Sequence, residues 1–104
     1  MNYDVFVSEQ AEQDLNEIYS YIYCQLKSKI SAERIAQRLN NAMVGLSAMP
    51  KRYRLYSVEP WLSRGIRSVR VGNYSIFYLV DDAKKIVLIT RIAYRKRNME
   101  TVLR

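Results

Sequence analysis

The densest run of side chains able to do chemistry is "TRIAYRKRN", residues 90–98, where Arg91, Arg95, Lys96 and Arg97 surround Tyr94. Guanidinium groups bind phosphate or carboxylate through two parallel hydrogen bonds and can stabilise charge that builds on a phosphorus centre. Arginine is too weak an acid to move a proton at neutral pH. A tyrosine or lysine with a depressed pKa would have to carry that step. The chain has no histidine and one cysteine, Cys24. Ser-His-Asp, Cys-His and zinc constellations are therefore excluded. No phosphate-cradling glycine motif is present, and Asp81 and Asp82 sit where a turn wants them. No metal and no cofactor is implied.

Period-two geometry in "KIVLITRIAY" (85–94) puts Val87, Ile89, Arg91, Ala93 and Arg95 on one face and Ile86, Leu88, Thr90, Ile92 and Tyr94 on the other. If the second set faces the core, Arg91 and Arg95 share the open face, and Arg67 or Arg70 of "IRSVRV" can join them. With Lys96 and Arg97 these residues form a candidate surface for an anionic partner. Tyr53, Tyr56, Tyr78 and Tyr94 add candidates for stacking on single-stranded RNA. Solvated strand cations and a packed Tyr78 are the plain structural alternative.

The elements that must position these residues follow from the apolar spacing. "YDVFV" (3–7) reads as a short strand, and Ser8 as the cap of a helix to about Lys27 with stripe Ala11, Leu15, Ile18, Tyr19, Ile22 and Leu26. Cys24 lies within that helix and reads as packing. Ser31 is expected to cap a second helix with Ala32, Ile35, Ala36, Leu39, Ala42, Met43 and Leu46 inward, ended by Pro50. "IRSVRV" (66–71), "YSIFYLV" (74–80) and "KIVLITRIAY" (85–94) then alternate as three strands joined by "GN" and "DDAK". The expected fold is α+β, of order β-α-α-β-β-β, an antiparallel sheet packed against a helical hairpin. The 15-residue connection "KRYRLYSVEPWLSRG" (51–65) is basic and aromatic.

At 104 residues, residues 1–104 form one expected domain. Neither a secretory signal nor an apolar run of roughly 18 residues is visible, so a cytoplasmic protein with no membrane role is expected. Charge is uneven. Residues 1–50 hold four Lys/Arg and six Asp/Glu, whereas residues 51–104 hold thirteen and four. The second half attracts anions, whether nucleic acid or an acidic protein.

Together the pieces resemble the RelE/ParE superfamily of bacterial toxin–antitoxin toxins over nearly the whole chain. The resemblance rests on "VFVSEQAEQDLNEIYSYI", "MPKR", "GIRSVRVGNYSIFYLVDD" and "IVLITRIAYRKRN". It implies a toxin that arrests bacterial growth, paired with a small acidic antitoxin that covers the basic surface and reaches operator DNA through its own DNA-binding part. ParE-like members poison DNA gyrase and are not enzymes. RelE-like members are ribosome-dependent messenger-RNA endonucleases that use Lys, Arg and Tyr side chains; here these would be Arg95, Tyr94 and Lys96, with Arg67 and Arg70 as substitutes. Ser75 stands where the RelE pattern carries arginine, and Ile66 and Ser68 roughly where it carries lysines. The long hairpin and these departures make the layout ParE-like. A non-toxic, basic nucleic-acid-binding module is the third possibility.

Overall fold

The computed structural model describes residues 2–25 and 27–94. Arg95, Lys96 and Arg97 lie outside the described residues. Strand β1 (Asp4–Val7) leads into helices α1 (Glu9–Gln25) and α2 (Lys29–Gly45). Strands β2 (Arg67–Val71), β3 (Tyr74–Asp81) and β4 (Ile86–Tyr94) follow. The sheet order is β1-β4-β3-β2. The three later strands form the expected antiparallel meander, but β1 joins β4 in parallel, so the sheet is mixed. The helices and the connection carry the chain from β1 to β2 at the opposite edge, and the meander brings β4 back beside β1, a long return that allows a parallel pairing that a hairpin cannot make.

Local chemistry accounts for the helix starts. Ser8 Oγ accepts the Ala11 N–H at 3.1 Å, and Glu9 and Glu12 stand in the first turn of α1. Ser8 Oγ also donates to the Thr90 carbonyl at 3.0 Å, which ties the cap to β4. The second helix starts earlier than expected: Ser28, not Ser31, is its cap, with Ser28 Oγ accepting the Ser31 N–H at 3.1 Å. Pro50 opens a 3-10 turn (Pro50–Arg52) after the helix has already ended. Gly72 takes φ +58° in the two-residue β2–β3 turn, where a side chain would be strained.

Ala11, Leu39, Met43 and Leu46 from the helices meet Val69, Ile76, Tyr78, Val87, Ile89 and Ile92 from the sheet in one core. Ile22 is buried and Leu15 packs against this core from its margin. Cys24, expected inside, is exposed on α1. A smaller cluster lies on the opposite face of the sheet, where Trp61, Ile66, Phe77 and Ala93 are buried with Tyr56 against them. The connection 51–65 therefore folds onto the sheet's open face instead of standing off in solvent. Trp61 anchors it.

Strand β4 does not keep one face throughout. The register with β3 shifts between Phe77 and Tyr78, so that Arg91 faces Phe77 and Ile89 faces Tyr78, and Thr90 is the extra residue of a bulge. Thr90 Oγ1 donates to the Phe77 carbonyl at 3.1 Å. Before the bulge Val87 and Ile89 point into the main core; after it Ile92 does. The alternation expected for residues 85–94 holds only beyond Thr90.

Candidate functional site

The predicted cationic surface separates into residues with different work. Arg91 is not an open-face cation. Its Nε donates to Asp14 Oδ2 at 2.8 Å and its Nη2 to Oδ1 at 3.0 Å, and the Ile92 N–H donates to the same Oδ2 at 2.9 Å. Asp14, on α1, is buried, and Arg91 is mostly covered. The paired carboxylate and second acid Glu17 raise the Arg91 pKa further, with burial opposing them. Strand β1 ends opposite Ile89, so the edge of β4 beyond it would otherwise lack a partner. Asp14 supplies one.

Arg67 is likewise occupied. It shares the helix side of β2 with Val69 and Val71, and its Nη1 donates to the carbonyls of Tyr53 at 2.7 Å and Lys51 at 3.3 Å. It holds the start of the connection against the sheet. Tyr78 is fully buried and its hydroxyl donates to the Pro50 carbonyl at 2.6 Å. Burial pushes its pKa up to about 12 against the pull of Arg67 and Arg52. Tyr53 packs at the core margin under Arg52, and Tyr56 meets Trp61 and Phe77 edge-on or tilted. These three tyrosines are structural.

Tyr94 is partly exposed, with its ring 5.8 Å from that of Tyr74 in an edge-on contact. Burial, then Tyr94 and Tyr21, raise the Tyr74 pKa. Both rings line a groove of about 770 Å³ with Ile18, Ile22 and Ile35 of the helices. Register places Tyr94 beside Tyr74 and Val71, on the helix side of the sheet. Arg70 has the opposite parity and is exposed on the other face. The structure therefore sets Tyr94 and Arg70 on opposite faces.

Of the cations predicted for the site, Arg70 alone among the described residues is unoccupied. It lies in a groove of about 430 Å³ on the open face, with Arg54, Tyr56, Ser68, Ser75 and Phe77. Arg54 escaped the sequence reading because it sits in the connection, whose return onto β2 has no periodic signal. Ser68 and Ser75 face the groove uncharged, while Ile66 is buried with Trp61. The arrangement can bind an anion through Arg54 and Arg70. Tyr74 and Tyr78, whose pKa values are raised, lie on the helix side of the sheet and not in this groove.

The sequence profile described as "ParE toxin of type II toxin-antitoxin system, parDE" matches residues 5–99. The chain belongs to the ParE toxin family. It is thus a toxin of the type II toxin–antitoxin class, within the wider RelE/ParE superfamily. No curated protein matches it by sequence. Solved structures give the same fold. A chromosomal ParDE system from P. aeruginosa is 21% identical with a TM-score of 0.72, covering 88% of this chain and 95% of that one. The RelBE2 toxin–antitoxin complex of Mycobacterium tuberculosis is 24% identical with a TM-score of 0.68, covering 91% and 100%. A free RelE mutant from E. coli is 16% identical with a TM-score of 0.63, covering 92% and 86%. Among the described residues of this ParE-family toxin, no helix is long and apolar enough to cross a membrane.

Proposed function

We propose that this ParE-family toxin arrests bacterial growth by poisoning DNA gyrase, without cleaving RNA, and that a small acidic antitoxin neutralises it. One observation carries the choice of target. At the positions where the RelE pattern carries lysines and arginine, the chain has Ile66, Ser68 and Ser75; Ile66 is buried under Trp61, and the two serines bring no charge to the open face. Messenger-RNA cleavage needs a cation at the scissile phosphate together with a group that moves a proton. Arg54 and Arg70 could meet the first need. Tyr94, the only proton carrier assigned to the set among the described residues, stands on the other face. A toxin that acts by binding needs neither.

An antitoxin partner is supported by the family and by the charge of the second half of the chain. The solved relative from Mycobacterium tuberculosis is a toxin–antitoxin complex. For the non-toxic binding module, membership of a toxin family leaves no independent support. The test is inducible expression in a bacterium with labelled precursors of DNA and protein. Replication is expected to fall first, with induction of the SOS response. Loss of translation before replication would favour the nuclease, and normal growth on verified soluble expression would remove the toxin reading for that host.

A further inference from the structure

The groove of about 770 Å³ between the hairpin and the sheet is lined quite differently from the cationic face. Its volume lies in the range of small-molecule sites. Ile18, Ile22 and Ile35 give it an apolar floor, and Tyr21 of α1 joins Tyr74 and Tyr94 in its lining. The two strand tyrosines stand edge-on, their rings inclined at 70°. Tyr21 lies close enough to act with Tyr94 in raising the Tyr74 pKa. Three phenol rings thus form one cluster over an apolar floor.

The charges that line the groove have one sign. Among the described residues they are Asp14 and Glu17. Asp14 is spent on the Arg91 guanidinium and the Ile92 N–H. Glu17 is exposed and makes no hydrogen bond or ion pair among the described residues; Arg91 feels its charge only through space. The Arg38 guanidinium of α2 lies beside Gly72, outside the lining. In a chain of net charge +7, this one groove presents a free carboxylate and no lining cation.

We infer that the groove binds a small organic cation, an alkylated ammonium carried on an apolar stem. The positive head sits among Tyr21, Tyr74 and Tyr94 beside Glu17, and the stem lies on Ile18, Ile22 and Ile35. The face of an aromatic ring attracts a cation, most strongly where water is excluded, and clustered rings recognise alkylated ammonium in this way. An anion fits less well, because Glu17 repels it and no lining side chain pairs with it. A neutral apolar molecule would use the floor but neither the carboxylate nor the ring faces. The inference rests on the groove alone, independently of which cellular target the toxin poisons.

The test uses the whole chain, labelled with nitrogen-15 and titrated with benzyltrimethylammonium. Amide shifts should centre on residues 17–22 of α1 and on Asn73 and Tyr74. Phenylmethanesulfonate keeps the stem and the tetrahedral head but reverses the charge, and should bind roughly tenfold more weakly or worse. The net charge of the chain favours the opposite order, so non-specific attraction cannot mimic this result. Benzyl alcohol, the neutral control, should also bind more weakly than the cation. Tyr94→Leu removes one ring and should weaken the cation by about two- to thirtyfold, whereas Tyr94→Phe keeps the ring and should preserve binding. Glu17→Gln should weaken it by about two- to fivefold. The unchanged spectrum away from the groove verifies the fold of each variant. Equal or tighter binding of the sulfonate or the alcohol, shifts centred elsewhere, no saturable shift, or full binding by Tyr94→Leu would each overturn the inference. A lysine-bearing peptide that bound more tightly than the free ion would overturn the assignment to a small molecule.

Discussion

Asp14 and Arg91, 77 positions apart, join through two hydrogen bonds, and the same carboxylate oxygen takes the Ile92 N–H. A helix side chain thus finishes the edge of β4 where β1 stops. The pair ties α1 to β4 beside the groove that Asp14 lines with Tyr74 and Tyr94.

Removing the carboxylate should be costly. Asp14→Ala leaves a mostly covered guanidinium and a buried strand N–H without their partner. Because Arg91 keeps some contact with water, the loss is expected near the low end of the range for broken buried pairs, about 3 kcal/mol. Urea unfolding of the variant beside the parent measures it. A loss under about 0.5 kcal/mol, the range for surface changes, would mean that the pair does not join the layers.

Much of the fold was legible and this contact was not, for reasons visible in particular residues. The helix stripes and the three-strand meander follow from spacing alone, because each records local burial. Whether β1 would pair in parallel depends on where a hairpin of two 17-residue helices returns the chain, and four strand residues carry no such signal. The bulge at Thr90 reverses the alternation by one residue, so residues read as sharing a face do not. Asp14 did leave a trace: it falls within the apolar stripe between Ala11 and Ile18, where a carboxylate needs a buried partner. At the candidate site, Arg70 was named from the sequence and Arg54 was not, since an aperiodic connection returns to β2 through backbone pairing that any residue can make.

Leu39 tests the orientation of the hairpin. It is 1% exposed in the centre of the main core. Leu39→Ala should cost roughly 2–5 kcal/mol, read from the shift in denaturant midpoint at constant slope. A near-neutral result would place the wrong face of α2 against the sheet.

Tyr78 gives the pH dependence. Its folded pKa lies above the ordinary value of 10.0, raised to about 12. Below the unfolded value the phenol is neutral in both states and its stabilisation is complete. As pH rises beyond it the unfolded chain loses the proton first, so stability falls until the folded pKa is passed. The advantage of the parent over Tyr78→Phe should therefore be present near neutral pH, at about 1 kcal/mol for the bond to the Pro50 carbonyl, and shrink or reverse in strongly alkaline solution. Thermal unfolding of both proteins across this window checks it. A difference that does not change with pH would show that the hydroxyl is not buried.

The choice of target is tested most directly with purified DNA gyrase and a translating bacterial extract, each given the same active toxin. The account predicts loss of supercoiling, with accumulation of cleaved DNA, and intact messenger RNA on translating ribosomes. Unaffected gyrase together with ribosome-dependent cuts in the messenger RNA would contradict it.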